Sequence, residues 1–398
     1  MHPREGDATY QPYSPFGEAI YCVTRRDLAL ALLEAAEDRG VTVAFEHRCV
    51  DVDPTAGVVV IDDKAGGRPA VRPSCIIAAD GCRSLVRRRL TALGWCESSE
   101  QVSTHGYTEL PIPAARAAAS GLRCDALHVW PRHELVAGAF AKADGSFTGS
   151  IHMPMTGSRS FAAVRDRESV VALFAEELPE VALLVPDLAR RFLARRPNSM
   201  AAVRCRPWSA AGAVALIGDA AHAMLPHYGQ GANAGLEDCE IFDDLVESHG
   251  LDWERVVEAF EAMRRPDTDA MTDLSDEHFL VLRDRVALPE YRLRARIERC
   301  LQRRFLREFV PLYSMITFSS MSYAEARRRD ALQRRVVDEL ARDPGIEQIL
   351  ARLEREPPHD ERFVIGAPPP VTGREACEPA FPCFPWLGRP LTSSLLEP

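Results

Sequence analysis

A chain of 398 residues, 46% apolar and 27% charged, is large enough to bury a sizeable core and is sized for two domains or one large one. Its formal charge of −10, with no basic face or arm, argues against a nucleic-acid partner. Eleven scattered cysteines form no CxxC pair, which argues against zinc and dithiol chemistry, so no metal is expected. The start, Met1-His-Pro-Arg-Glu-Gly-Asp, lacks the apolar stretch of a signal peptide, and no run reaches the ~20 apolar residues of a membrane helix. The expectation is a cytoplasmic protein without a membrane anchor.

Residues 1–18 are polar and turn-rich, with Tyr10, Tyr13 and Phe16 interleaved among prolines. Thr24 is placed to cap a helix over 25–39, with Leu28, Leu32, Ala35 and Ala36 inward and Gly40 as the stop. Val41-Thr-Val-Ala-Phe45 alternates as a strand, and Val58 to Ile61 predicts another after the Pro54–Gly57 turn. Ser74 to Ala79 is a short apolar strand that ends in Asp80-Gly81 and runs into a helix carrying Arg83 and Arg87. Such a strand end suits a tight turn whose N–H groups approach a phosphate. From Thr104 to Pro154 the pattern turns to β: strands at 107–110, 127–130, 135–140 and 147–152, with turns at Pro131-Arg132 and Asp144-Gly145. These favour an antiparallel sheet. Helical periodicity resumes over 169–178 and 181–193, followed by a strand over 200–206.

The next stretch organises the rest. Ala213-Val-Ala-Leu-Ile217 has the length of a buried strand and is followed by Gly218-Asp219, a loop with Gly229, Gly231 and Gly235, and a helix with Ile241, Phe242, Leu245 and Val246 on one face. Strand, acidic–glycine turn, glycine loop and helix together bring backbone N–H groups and a helix N-terminus against an anionic or electron-rich ligand. Beyond Trp253 helices are expected over 256–264, 268–282, 293–305 and 323–342, and from Pro357 a proline-rich tail.

Gly218-Asp-Ala-Ala-His222 through Pro226, with Gly229-Gln-Gly-Ala-Asn233, resembles the second FAD motif of the flavoprotein aromatic hydroxylases, and Cys75 to Arg88 resembles their Asp-Gly motif. Thr104-His-Gly-Tyr-Thr-Glu-Leu-Pro111, Leu127 to Arg132, Leu236 to Cys239, Gln11-Pro-Tyr13 and Phe309 to Phe318 narrow the resemblance to the kynurenine 3-monooxygenase type. It implies an α/β, three-layer FAD-binding fold with an antiparallel β substrate domain and a helical C-terminal region. No G-x-G-x-x-G occurs in the sequence, so the fold is expected to be N-terminally truncated, its first βαβ missing. The expected division is a partial FAD-binding domain over 1–103, the β domain over 104–207, the return of the FAD-binding domain over 208–250, helices over 251–345 and the tail over 346–398.

The resemblance also implies FAD and NADPH as cofactors and O2 and a small aromatic amino acid as partners, with hydroxylation of L-kynurenine or a close derivative. For the cofactor it implies Asp219 at the ribityl or pyrophosphate part of FAD, Gly231-Ala232-Asn233 facing the isoalloxazine ring, Arg25 from the first helix, and Asp80 with Gly81 at the phosphate and nicotinamide region. For the substrate it implies Tyr13 and Tyr313 on the carboxylate and His227 with Tyr228 beside the ring. His278 and Leu282, with Val281, stand where the family commonly places Asn, Glu and Met, which points toward a shifted aromatic acid. No side chain is expected to be catalytic in its own right, since the flavin carries the chemistry. The competing readings are a flavin-free, non-catalytic relative and a hydroxylase of another tryptophan-derived aromatic acid.

Overall fold

A computed structural model describes residues 1–355 apart from 15, 287, 306 and 307; the tail from Pro357 lies outside the described residues. Thr24 starts helix α1 (Arg25–Asp38), its hydroxyl accepting the Asp27 N–H at 3.1 Å. None of the α1 side chains is buried, and Leu32 of the expected inward stripe is 37% exposed. Amphipathic spacing marks a face, and here no neighbouring element among the described residues covers it. The alternation at Val41–Phe45 likewise gives no strand, because no ladder partner stands beside it; Val41 and Phe45 point to solvent. The chain becomes extended only at β1 (Arg48–Asp53), which pairs antiparallel with β2 (Val58–Asp62), and β3 (Ala70–Val71) adds to β2.

Strand β4 (Ile76–Ala78) leads through Asp80-Gly81 into α2 (Leu85–Ala92). A five-stranded antiparallel sheet follows: β5 (Glu97–Ile112), then α3 (Ala114–Ala119), β6 (His128–Arg132), β7 (Leu135–Ala141) and β8 (Phe147–Pro154). The β6–β7 turn falls at His133-Glu134, with His133 at φ 58°, immediately after the expected Pro131-Arg132, which belong to β6. The polar first half of β5 shows no alternation in sequence, and pairing with β9 holds it extended. Helices α4 (Arg167–Glu177), α5 (Pro179–Leu184) and α6 (Leu188–Leu193) cover one face of the sheet. The single helix expected over 181–193 is split at Pro186, which has no N–H to continue the ladder, and at Asp187, which turns left-handed with φ 51°. Strand β9 (Asn198–Arg206) completes the sheet order β6-β7-β8-β5-β9. Leu110, Ile112, Trp130, Phe147, Ile151 and Met153 of the sheet pack against Phe174 and Phe192 in its core.

The chain then returns to β4. Strands β10 (Ser209–Ala210) and β11 (Val214–Leu216) give a small sheet of order β10-β11-β4, with β11 parallel to β4 and fully buried. After it come α7 (Asp219–His222), a single tight turn at Pro226–Tyr228, and α8 (Gly231–His249). The two helices expected over 256–264 and 268–282 are one, α9 (Trp253–Leu280), with Pro266 inside it. The lost hydrogen bond at Pro266 is outweighed because Val257, Phe260, Met271 and Leu274 on either side are all buried in tertiary contacts. A wider turn at Val281–Arg285 leads to α10 (Pro289–Arg304), α11 (Leu312–Thr317), α12 (Tyr323–Ala341) and α13 (Ile346–Arg355). Residues 346–355, assigned to the tail on sequence, are thus helical, and Ile346 and Leu350 pack against α10 and α12. Parallel and antiparallel sheets with covering helices give the expected α/β class. Among the described residues no helix is long and apolar enough to cross a membrane.

Candidate active site

Two acidic–glycine turns sit side by side at the ends of the parallel pair. Asp80 accepts the Leu85 and Val86 N–H groups at 2.7 and 3.2 Å, so its carboxylate caps α2. Arg87, one turn into that helix and 2% exposed, donates to the Cys82 carbonyl at 2.5 Å and to the Ala220 carbonyl at 2.7 Å. One guanidinium thereby ties the Asp80 turn to the Gly218-Asp219 turn.

Gly218 has φ 58° and ψ −140°, a region essentially reserved for glycine, and it lies against Gly235 of α8. Its N–H donates to Asp238 at 3.0 Å. Asp238, 0% exposed, also takes His222 Nε2 at 2.5 Å and Arg264 Nε at 2.8 Å. Burial alone would raise the Asp238 carboxyl; the hydrogen bonds from His222 and Arg264 outweigh it and hold the group below its ordinary range. Arg264 reaches Glu237 and Asp267 as well, and Asp267 accepts the Ala324 N–H at 3.0 Å. The loop after β11 is thus clamped from behind by a charge network spanning α7, α8, α9 and α12, with Asp238, Arg264 and His222 buried at its centre.

In front of it, α8 begins bare. Gln230 gives no side-chain cap, and a Cβ at Gly231 would meet only the Met224 side chain at 3.8 Å. The first N–H groups of α8, at Gly231, Ala232 and Asn233, are therefore available to an electron-rich edge. That is what the pyrimidine end of an isoalloxazine ring requires, and the residues present fit that part of FAD. Asn233 donates to Gln230 at 3.0 Å, which fixes the loop. Asp219 is open to solvent beside α7; crowding by surrounding protein raises its carboxyl, and His222 and Arg25 of α1 pull it down. Arg25 and Asp219 therefore face the same space.

The loop leading to α8 forms one wall of a cavity of about 3290 Å³, well above the roughly 300–1,000 Å³ of a single-ligand pocket. Tyr13, His227, Tyr228, His278, Leu282 and Tyr313 all line it. Tyr13 stacks on Tyr313 at 5.1 Å, Tyr228 on Tyr313 at 5.6 Å, and His278 lies 4.5 Å from Tyr228. Burial raises all three tyrosines, so they stay protonated and able to donate. His227 stacks on Phe279 at 4.0 Å and lies 5.3 Å from His152 of β8. Asp80 and Gly81 stand apart from this cavity; Asp80 lines a smaller cleft with Arg83 and Arg88. Sequence reasoning passed over His152 and Phe279. The available signal for His152 was its place on one phase of the 147–152 strand with Thr148 and Ser150.

Comparison with known proteins agrees with this geometry. The family described as an FAD binding domain matches residues 16–247. A kynurenine 3-monooxygenase of Stenotrophomonas maltophilia (strain K279a) is 38% identical over 337 residues, 84% of this chain and 74% of that one. One from Myxococcus xanthus (strain DK1622) is 36% identical over 344 residues, 86% and 74% of the two chains. Among solved structures, the tetrameric form of 2-methyl-3-hydroxypyridine-5-carboxylic acid oxygenase has the same fold, with a TM-score of 0.52 at 23% identity over 68% of this chain and 70% of that one. With an uncapped helix terminus beside a tyrosine-walled cavity, and relatives of this kind along most of its length, the chain belongs to the kynurenine 3-monooxygenase family of FAD-dependent aromatic hydroxylases.

Proposed function

We propose that this chain hydroxylates the aromatic ring of L-kynurenine or a close derivative, using FAD, NADPH and O2. The observation that carries the reading is the Tyr13–Tyr313–Tyr228 stack on the cavity wall that leads to the bare N-terminus of α8. FAD, once reduced by NADPH, supplies the oxygen chemistry. The protein's own part is positioning. The α8 N–H groups and helix dipole favour negative charge on the flavin edge. Tyr13 and Tyr313 donate hydroxyl hydrogen bonds to the substrate carboxylate. His227, Tyr228 and Phe279 wall the ring and keep water out. Asp219 and Arg25 hold the flavin's ribityl side, and Asp80 with Gly81 shapes the turn at the phosphate and nicotinamide side. His278 and Leu282, with Val281, bring the cavity a different polarity from that of the family, which favours a modified ring.

The visible spectrum after adding FAD tests the cofactor half: flavin absorbance retained through gel filtration is expected, and a colourless protein would separate this chain from its flavin-bound relatives. Kynurenine-stimulated NADPH oxidation with a product one oxygen heavier tests the substrate half; oxidation that yields only peroxide sinks it. Tyr313→Phe is expected to raise KM for kynurenine by about tenfold or more with kcat little changed, because a hydrogen bond to a charged group contributes roughly 1.5–3 kcal/mol.

A further inference from the structure

The cavity wall has two chemically different ends. At one, the rings of Tyr13, Tyr313 and Tyr228 stack. At the other, His227 and His152 meet at 5.3 Å, with Phe279 stacked on His227 and Tyr107 stacked on His152 at 5.5 Å. His227 Nδ1 and Nε2 and His152 Nδ1 are buried without a hydrogen-bond partner among the described residues. A buried polar atom left unpaired destabilises the fold, so three in one place are a standing penalty that apolar side chains of similar shape would remove. A pocket built only to hold an unsubstituted benzene edge has no use for them.

Their charge state narrows what they can bind. Burial first, then neighbouring imidazoles, pushes His227 down to about 2 and His152 to about 4, so both are neutral at physiological pH. Arg283, 5.7 Å from the Phe279 ring, is engaged by Asp284 at 2.6 Å. Neither imidazole, nor the paired Arg283, therefore offers a positive charge to an anionic substituent. A neutral imidazole carries one N–H donor and one lone-pair acceptor. His227, with both nitrogens unpartnered, presents one of each. A hydroxyl, which donates and accepts, matches that set; a methyl or halogen does not.

We infer that His227 and His152 recognise a hydroxyl on the substrate's aromatic ring, at the edge remote from the amino-acid side chain, so that the preferred substrate is a ring-hydroxylated kynurenine. The inference rests on the reading of the cavity as an aromatic amino-acid site, and it names the substrate class within that site. His227 and His152 act as specificity determinants; they take no part in oxygen transfer.

The test is equilibrium binding to the FAD-loaded protein, read as perturbation of flavin absorbance. The probes are L-kynurenine, 5-hydroxykynurenine and, as a size match without hydrogen bonding, 5-methylkynurenine. The wild-type protein is expected to bind the hydroxyl compound about tenfold more tightly than the methyl compound, one net hydrogen bond plus relief of an unpaired nitrogen. His227→Phe and His152→Phe are each expected to bring that ratio close to one while the methyl compound binds as well or better. Equal binding of the two compounds by the wild-type protein overturns the inference, whether or not either variant folds. A ratio unchanged in both folded variants overturns it as well. Kynurenine binding without discrimination leaves the hydroxylase reading standing and removes only this one. If no probe perturbs the bound flavin, both fall together.

Discussion

Replacing Asp238 with alanine is expected to destabilise the protein by about 3–5 kcal/mol, the usual consequence of stranding a buried charge. Asp238 is 0% exposed and Arg264 1%, and the carboxylate serves His222, Arg264 and the Gly218 N–H at once. Without it a guanidinium that cannot lose its proton keeps Glu237, the more distant Asp267 and the Ala234 carbonyl. Asp238→Asn keeps the shape and loses the charge, so it should fall between alanine and wild type. In a thermal melt the alanine variant should unfold about 5 °C lower, at roughly 1.2 °C per kcal/mol from an unfolding entropy of about 2.1 cal/mol/K per residue. Because Asp238 also fixes the Gly218 turn, flavin retention should fall in parallel. Adding Arg264→Met to the alanine variant should recover part of the loss, since the stranded charge is gone. An alanine variant within 1 kcal/mol of wild type would show that the network adds nothing net.

The second large effect is loss of stability in mild acid. Burial holds His2, His152 and His278 down to about 4 and His227 to about 2. All four are neutral in the folded protein at pH 6, whereas in the unfolded chain they bind protons near 6.5. A depressed histidine therefore favours unfolding as pH falls below 6.5, because the unfolded state binds more protons. Each contributes on the order of 1 kcal/mol per pH unit once well below 6.5. Glu298 works in the opposite sense: burial raises it to about 7, so its protonation as pH falls stabilises the fold. Burial also raises Asp219, Glu237, Asp276 and Asp330 and depresses His105 and His128, but Glu298 is the carboxyl raised to about 7, and against it the depressed histidines leave a net loss between pH 6.5 and 5.5. The urea midpoint should drop through that window, and His227→Phe should flatten the drop. A midpoint that is constant or rising from pH 6.5 to 5.5 would contradict the neutral-imidazole description.

The strand, glycine turn, loop and helix from β11 to α8 were legible in the sequence because the unit is local. A buried strand, a glycine turn, a loop and a helix start lie within one stretch, and each signals itself by residue type at fixed offsets. Gly218 was marked by the turn it makes, and the bare start of α8 by Gly229-Gln-Gly231. What stayed hidden depends on register and distant packing. That His152 faces His227 follows from which phase of β8 points to the cavity, and no spacing rule joins a strand to a loop so far along the chain. Asp238 looked like one more acid on an amphipathic helix; its burial is set by Arg264, in a different helix. Pro266 suggested a break that tertiary contacts on both sides prevent. Val41–Phe45 alternates as a strand should, and without a neighbour it does not become one.

The Arg87 tie has a consequence for the order in which the molecule assembles. Its bond to the Ala220 carbonyl joins residues 133 apart, with the whole five-stranded sheet inside the loop it closes. Closing a loop of that length on an unfolded chain costs entropy that grows by about 0.6 kcal/mol per doubling. The antiparallel sheet shortens the path, since pairing of β5 with β9 sets Glu97 opposite Arg206, just after α2 and just before β10. Once those ends meet, β4 and β11 are separated by short segments only. The β7–β8 hairpin should therefore acquire amide protection before β4 in pulse-labelled hydrogen exchange, and simultaneous protection would contradict that order. On this account the two acidic–glycine turns are the last part of the chain to take shape.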